Sequence, residues 1–572
     1  MYSERFWKKN WDEDIHDLDP KKWEKTFVEA ISPTFKDFSD HIALSYFGVE
    51  ITFGELDEYS NQFANMLIQN GFEPGDIIGI NLPNIPECVI AYIGTLRAGC
   101  VASGVSPLLS DVQMEYQLRN LGEGGKKVGL ITLDVIHSQR VVKIAKKLSQ
   151  LKLIITTNIG QFLPTIKRIF GKLLKKIPSA KVKPLSYVKM IDFKDILEEY
   201  STKSPEVRIT PEDTALILFT GGTTGRPKGV VLTHKNVVCD VVIVSNWLGW
   251  ERGGGFAVSG FPFFHMGGLY FLEHCLYLAW GQSLIPNPRD VDYIVKQIKA
   301  YKPQALVNVP ALFQLLFKNS EFRKLDHSNI VGCISAASPF PKKSQEELES
   351  VVGKGKLIEC YGCTETTALT TMNPSKGLKK LGTVGFPMTN IEFKLIDYVT
   401  GELVPLEEPG EICIKGDMVM KEYNHSPEET KKAIDSDGFM HTGDVGIMDE
   451  DGYIKIVDRT KDMIIVGGFK VYSNKVEDLL VKHPAIDTIA LIGIDNPERS
   501  GSEIVKAIIQ VDSSYEYENE ESLKDEITEY TKSKCAPYEV PKRIELVKEL
   551  PFTLVGKIDK KALREKYKKK EK

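Results

Sequence analysis

Short apolar runs of strand length alternate with amphipathic stretches of helix length along most of this chain, and that alternation constrains the fold most. Asp76–Leu82 (DIIGINL), Lys127–Ile131, Leu151–Thr156 and Thr214–Phe219 read as strands. Between the first strands and the N-terminus lies Thr52–Asn70, where Leu56, Tyr59, Phe63, Met66 and Leu67 fall on one face of a predicted helix. The pattern predicts layered α/β architecture. At 572 residues the chain exceeds a single folding unit, and no fixed-period repeat divides it. Lys203–Asp213 (KSPEVRITPED) reads as a connector into the next strand. Further on, Gly401, Asp437-Gly438 and Asp451-Gly452 punctuate short strands, as in an antiparallel β unit. After Asp458 the character changes again: Met463–Val466, Thr488–Ile494 and Ile504–Val511 are strand-like, and Asn474–Lys482 is helical. The boundary is placed at Asp458–Lys461, giving units 1–458 and 459–572, the second of small-domain size.

Composition narrows the classes. Lys and Arg number 73 against 78 Asp and Glu, a net charge of −5 that disfavours a nucleic-acid-binding chain. Hydrophobic residues at 42% can fill sizeable cores and exclude a largely disordered chain. Of nine cysteines only Cys360 and Cys363 stand close, with no second pair to complete a zinc site, so all read as reduced thiols of a cytoplasmic protein. The first ten residues lack the apolar stretch of a secretory signal. The uncharged run Gly253–Leu272, broken by glycines, Pro262 and His265, suits loops and short strands rather than a membrane span. Phe162–Ile177 (FLPTIKRIFGKLLKKI) is different. Its apolar residues recur at helical spacing among Lys167, Arg168, Lys172, Lys175 and Lys176, with no acid. Such a helix either packs on its own domain or lies on an anionic membrane surface.

The chemistry begins at Thr220–Gly229 (TGGTTGRPKG), directly after the strand Leu216–Phe219. Thr220, Gly221, Gly222, Thr223, Thr224 and Gly225, with Lys228, form an anion cradle: glycines let backbone N–H groups approach phosphate oxygens, and hydroxyls and the ammonium add donors. A plain turn is the alternative. A Walker loop is excluded, because Lys228 follows Pro227 and precedes Gly229, and the dinucleotide fingerprint is absent.

At this loop the sequence resembles the adenylate-forming superfamily of acyl- and aryl-CoA synthetases, luciferases and peptide-synthetase adenylation domains. The remaining pieces follow in the family's order: Phe261–His265, Ser335–Pro339, Tyr361–Glu365, His441–Asp444, Asp458–Lys461, Gly467–Lys470 and Gly556-Lys557. The resemblance implies a large N-terminal domain of two α/β subdomains plus a β subdomain, then a small mobile C-terminal α+β domain. It implies ATP, Mg²⁺ and coenzyme A as cofactors and co-substrates. Tyr361 can stack on the purine, Thr364 donate to the α-phosphate, and Glu365 supply a hard oxygen to Mg²⁺. Asp444 matches the ribose-binding acid and Arg459 the second ribose or phosphate contact. Ala337, Ser338 and Pro339 fall in the adenine-lining segment, where the family's usual Gly-Gly-Ala-Pro is replaced by Ala336-Ala337-Ser338-Pro339. His265 matches a position near the carboxylate entry, where it orients the acid. Lys557 matches the lysine that stabilises charge developing at the α-phosphorus, Lys461 the hinge, and Gly467-Gly468 the loop lining the thiol tunnel.

By this resemblance the chain is an ATP-dependent acid–CoA ligase that forms an acyl-adenylate, then a thioester. Phe264, Met266, Gly267, Val309 and Pro310, the acyl-pocket candidates, include no amine-binding aspartate, which disfavours amino acids. Thr220–Gly225, Leu232–Asn236 and Asp458–Val471 look most like prokaryotic medium- to long-chain fatty acyl-CoA synthetases. An aryl-acid ligase, or a ligase loading a carrier protein, is the alternative. Self-association is compatible with the sequence.

Overall fold

The computed structural model describes residues 2–174, 177–220, 227–338, 340–467, 469–497, 503–552 and 558–568. Two large sheets dominate. The first has eight strands, ordered in space from Glu422–Tyr423 through Lys228–Thr233, Thr214–Thr220, Val101–Gly104, Ile77–Asn81, Val128–Leu133 and Leu151–Thr157 to Lys189–Asp192. Its six strands from Thr214–Thr220 to Lys189–Asp192 are parallel, and Lys228–Thr233 returns antiparallel to Thr214–Thr220. The second sheet has nine strands, with Leu357–Tyr361, Gly332–Ser335, Ala305–Asn308 and Phe256–Ser259 parallel in its middle. Continuous burial along strands such as Val128–Leu133 reflects helices on both faces, as parallel sheets require.

The predicted helix over Thr52–Asn70 runs Phe53–Gln69. Thr52 and Glu55 close a capping box at its start, satisfying two otherwise unpaired N–H groups. The four strand readings match Ile77–Asn81, Val128–Leu133, Leu151–Thr157 and Thr214–Thr220. Gly253–Leu272 is less extended than its glycines suggest: beyond the strand Phe256–Ser259, the helix Met266–Leu278 begins immediately after His265.

A four-stranded antiparallel sheet, Glu392–Ile396, Gly410–Lys415, Met440–Met448 and Ile454–Arg459, forms the β subdomain. The small C-terminal domain carries Ile486–Asp495, Glu503–Val511 and Arg543–Val547 with the helices Ser473–Leu480, Glu520–Lys532 and Lys560–Lys568. Lys560 ties the last helix to the first, its Nζ lying 2.8 Å from Glu477 and 2.8 Å from the Ser473 hydroxyl. Arg564 pairs with Asp462, just past the strand Ile454–Arg459.

Within the segment Phe162–Ile177 the helix is shorter than its pattern predicts, Thr165–Leu173. Phe162 packs against Tyr59 and Phe193 and roots the segment in the core. Ile166 (70% exposed), Ile169, Phe170, Leu173 (75%) and Leu174 instead face outward. No helix among the described residues is long and apolar enough to cross a membrane. All nine cysteines are free thiols, seven of them buried.

Candidate nucleotide and acyl site

Parallel strands direct their carboxyl ends to one edge, and ligands of open α/β sheets bind outside that edge. Three separate sheets deliver residues there. Thr220 ends its strand in the first sheet, directly across the ladder from Lys228. Tyr361 ends Leu357–Tyr361 in the second, and Ala336–Ser338 follow the neighbouring strand Gly332–Ser335. Asp444 and Arg459 face each other as ladder partners in the β subdomain.

The residues expected to hold the nucleoside are already connected. The Tyr361 hydroxyl donates to Asp444 Oδ2 at 2.7 Å, and Arg459 Nε lies 2.9 Å from Asp444 Oδ1. Burial, reinforced by the Asp444 charge, pushes the Tyr361 phenol well up, so it remains a donor. The acid predicted to bind ribose is thus held by both of its carboxylate oxygens. Ala337 adopts φ 73°, a left-handed conformation that costs a non-glycine residue about 1 kcal/mol. The consequence of losing the family's glycine is backbone strain as well as the added methyl.

The phosphate end pairs its charges internally. Lys228 forms an ion pair with Glu429 and lies 4.7 Å from the Tyr423 ring centre. Thr364 and Glu365 form a single 3₁₀ turn after Tyr361, and Glu365 Oε1 accepts from the Tyr423 hydroxyl at 2.8 Å. Tyr423 and Glu429 belong to none of the motifs; Tyr423 is revealed by its strand's pairing with Lys228–Thr233, and Glu429, on the helix Pro427–Ala433, by its ion pair with Lys228. Lys461 lies two residues beyond Arg459, and burial and the Arg459 charge lower its affinity for a proton. Gly467 sits in the turn between Ile464–Val466 and Phe469–Val471. Gly221, Gly222, Thr223, Thr224, Gly225, Pro339, Gly468 and Lys557 lie outside the described residues.

His265 caps the helix Met266–Leu278. Its Nδ1 accepts from the Gly267 N–H at 3.3 Å, which places the imidazole proton on Nε2, where it can donate to a carboxylate. The chain is tightly folded there: a Cβ at Gly268 would fall 2.2 Å from the Pro262 carbonyl oxygen, and one at Gly104 2.8 Å from that of Phe264. Between these close approaches lies a narrow apolar slot. Ile80, Cys88, Tyr92, Ala102 and Gly104 line one side, and Phe263, Phe264, Leu269 and Leu272 the other. Its wall strand Val101–Gly104 is parallel to and neighbours Thr214–Thr220, so the slot lies at the sheet edge where Thr220 ends its strand.

Of the five pocket candidates only Phe264 lines this slot. Val309 and Pro310 sit at the start of the helix Pro310–Lys318, where Val309 packs both on the main core and on the cluster around Phe313. Sequence reasoning missed Cys88 and Tyr92, which face the slot from the helix Pro86–Arg97; that helix is buried on every side and gives no amphipathic signal. Behind the slot, the Tyr92 hydroxyl donates to Glu273, whose carboxyl is pushed up to about 8 by burial. Asp240, also buried, is raised well above its ordinary value. Burial thus favours the uncharged form of both carboxyls.

Comparison with known proteins agrees with this arrangement. The family described as AMP-binding enzyme matches residues 33–424, and the AMP-binding enzyme C-terminal domain matches 475–557. A long-chain-fatty-acid–CoA ligase of Bacillus subtilis is 34% identical, over 99% of this chain and 98% of its own length. One from Escherichia coli O6:H1 is 33% identical over 96% of both. The crystal structure of the anthranilate CoA ligase AuaEII in complex with anthranoyl-AMP superposes with a TM-score of 0.84 at 25% identity, covering 97% of this chain and all of that one. Fold, nucleotide frame and near-full-length similarity converge, and the chain belongs to the AMP-binding, adenylate-forming enzymes.

Proposed function

We propose that this chain is an AMP-forming acid–CoA ligase acting on medium- or long-chain fatty acids. The observation that carries the reading is the apolar slot at the sheet edge, lined by no charged side chain. An amino acid would find no counter-charge there, whereas a hydrocarbon chain gains about 0.8 kcal/mol per buried methylene. As it stands the slot is about one water wide, so a chain enters by parting side chains such as Phe264 and Leu272. The two long-chain-fatty-acid–CoA ligases support the same substrate class.

In the first half-reaction the carboxylate attacks the α-phosphorus of ATP and pyrophosphate leaves. Tyr361 flanks the base, Asp444 and Arg459 hold the ribose, Thr220–Gly225 and Lys228 hold phosphates, and His265 directs the carboxylate by its Nε2–H. Lys557 places positive charge where the transition state develops negative charge. Glu365, a carboxylate beside the Thr364 hydroxyl, is a hard-oxygen donor set that suits Mg²⁺, which when bound neutralises phosphate charge. In the second half-reaction the CoA thiol attacks the acyl carbonyl and AMP leaves, with Gly467-Gly468 lining the thiol path. Both sets of C-terminal residues act on one site, so residues 459–572 rotate about Lys461 between steps.

Release of pyrophosphate, and then of AMP on adding CoA, measured for acids from acetate to stearate and for benzoate, tests the reading. Turnover rising with chain length is expected; preference for benzoate overturns the fatty-acid assignment, and AMP release independent of CoA overturns the ligase.

The free thiols favour a cytoplasmic enzyme, and the exposed apolar face of Thr165–Leu173 favours one that touches the membrane. Four exposed apolar side chains on a helix bearing Lys167 and Arg168, with Leu174 just beyond it, suit anionic headgroups. Cosedimentation of the protein with anionic vesicles at low salt, lost in Ile169→Ser/Phe170→Ser/Leu173→Ser, is the expected result; wild type remaining in the supernatant refutes it.

A further inference from the structure

A second cluster of chemically capable side chains lies in the β subdomain, and no step of the ligase reaction uses it. Glu411 and Cys413 stand two apart on the strand Gly410–Lys415 and therefore point to the same face. His441, on the adjacent strand, is the direct ladder partner of Cys413. His441 Nδ1 lies 3.3 Å from Glu411 Oε2 and 3.6 Å from Cys413 Sγ. One ligand atom of each residue falls within 4.8 Å of the others, the only such group of three among the described residues.

Those separations have a chemical meaning. In a tetrahedral zinc site, bonds of about 2.0–2.1 Å to nitrogen and oxygen and about 2.3 Å to sulfur set the nitrogen roughly 3.6 Å from the sulfur and roughly 3.4 Å from the oxygen. The observed pair of distances matches both. The far side of the ring is also prepared: His441 Nε2 lies 3.5 Å from Asp435 Oδ2, so when an ion takes Nδ1 the ring proton sits on Nε2 facing an acceptor. Asp435 is itself 3.6 Å from Lys394. With a divalent ion bound and the thiol proton released to solvent, the three anionic groups Glu411, Asp435 and Cys413 balance the ion and Lys394. Cys413 is fully buried while the His441 side chain is 27% exposed, so an ion enters from the histidine side, where water completes the fourth position.

We propose that Glu411, Cys413 and His441 bind a zinc-class divalent ion, with Asp435 as the residue that positions His441. The site is distinct from the magnesium position at the phosphates, but it is coupled to the ribose acid. Glu411 Oε1 accepts from the Gly443 N–H at 3.1 Å, immediately before Asp444, and leaves Oε2 for the ion. Bound metal would therefore clamp the turn that carries Asp444 without dismantling it.

Cobalt(II) is the probe, because a thiolate ligand gives it a sulfur-to-cobalt charge-transfer band. The wild-type protein titrated with Co²⁺ is expected to develop that band saturably at one ion per chain, to lose it to added Zn²⁺, and to melt at a higher temperature with either ion. Cys413→Ser should lose the band and the thermal shift while keeping metal-free ligase activity. Asp435→Asn should keep the band but bind cobalt roughly 10- to 100-fold more weakly. A band that survives in Cys413→Ser, or no band at any cobalt excess, overturns the proposal. Should Cys413→Ser fail to fold, X-ray absorption of the zinc-loaded wild type decides: one sulfur among light ligands supports the site, and a sulfur-free shell refutes it.

Discussion

The two ends of the proposed nucleotide site are built on opposite plans. At the proposed nucleoside end Tyr361, Asp444 and Arg459 already bond to one another, so a ribose there would meet a frame whose geometry is fixed in advance. At the proposed phosphate end Lys228 is paired with Glu429 and Glu365 accepts from Tyr423, so an incoming triphosphate would compete for the groups proposed to hold it. A preset frame contributes equally to ground and transition states and therefore sets affinity. Contacts that form as charge arrives contribute more to the transition state and therefore set rate. That division of labour can be attacked from each side.

The largest effect is expected at Lys557. Lys557→Ala should slow acyl-adenylate formation by about 10²-fold or more while still converting supplied acyl-adenylate and CoA to thioester. Equal loss in both half-reactions would remove this residue from the rate-setting side. Next comes Asp444→Ala, which strips an acceptor from Tyr361 and a partner from Arg459. It should raise the KM for ATP roughly 10- to 100-fold with a smaller change in kcat. Lys228→Met should show the reverse signature, kcat for adenylation falling about tenfold with a smaller change in KM. If steady-state titrations give the two variants the same signature, the contrast between the ends is wrong.

Glu429→Gln tests the competition itself. Freeing Lys228 should raise kcat for adenylation by about two- to threefold, the scale of an exposed ion pair, with a smaller change in KM. Hydrogen bonds from Lys228 and Lys432 hold the Glu429 carboxyl at about 2, below its ordinary value, so it stays ionised above that pH. Because protonation would occur only as pH falls through about 2, the difference between wild type and variant should be the same at pH 6 and pH 8; a gap that closes on acidification would assign it to another group. The smallest effect belongs to Ala337→Gly, which relieves a positive φ and should stabilise the fold by up to about 1 kcal/mol in urea unfolding.

Much of the candidate nucleotide site was legible because its residues sit in short motifs whose order along the chain is distinctive. Tyr361, Asp444 and Arg459 were named for the same ligand before any contact between them was visible, and the structure brings them together. The regular elements were legible wherever burial is one-sided or continuous, as in Phe53–Gln69 and Val128–Leu133. What escaped has physical reasons. Tyr423 is brought to this edge by pairing of Glu422–Tyr423 with Lys228–Thr233, and Glu429 by the helix Pro427–Ala433 that follows; the segments are far apart in sequence, and no local pattern encodes their meeting. Pro86–Arg97 is buried all round, so periodicity could not say which of its faces meets the slot. For Thr165–Leu173 periodicity gave the apolar stripe but not what covers it, and the stripe proves to be exposed.

Because Thr220, Tyr361 and Asp444 come from three different sheets, a nucleotide bound among them is also a cross-link between separately packed layers. Its binding energy then counts toward the free energy of unfolding by mass action, about 2.7 kcal/mol when ligand exceeds its dissociation constant a hundredfold. The resistance of this chain to heat and proteolysis in a cell would accordingly follow the supply of adenine nucleotide, and a starved cell would hold a more fragile enzyme than a fed one.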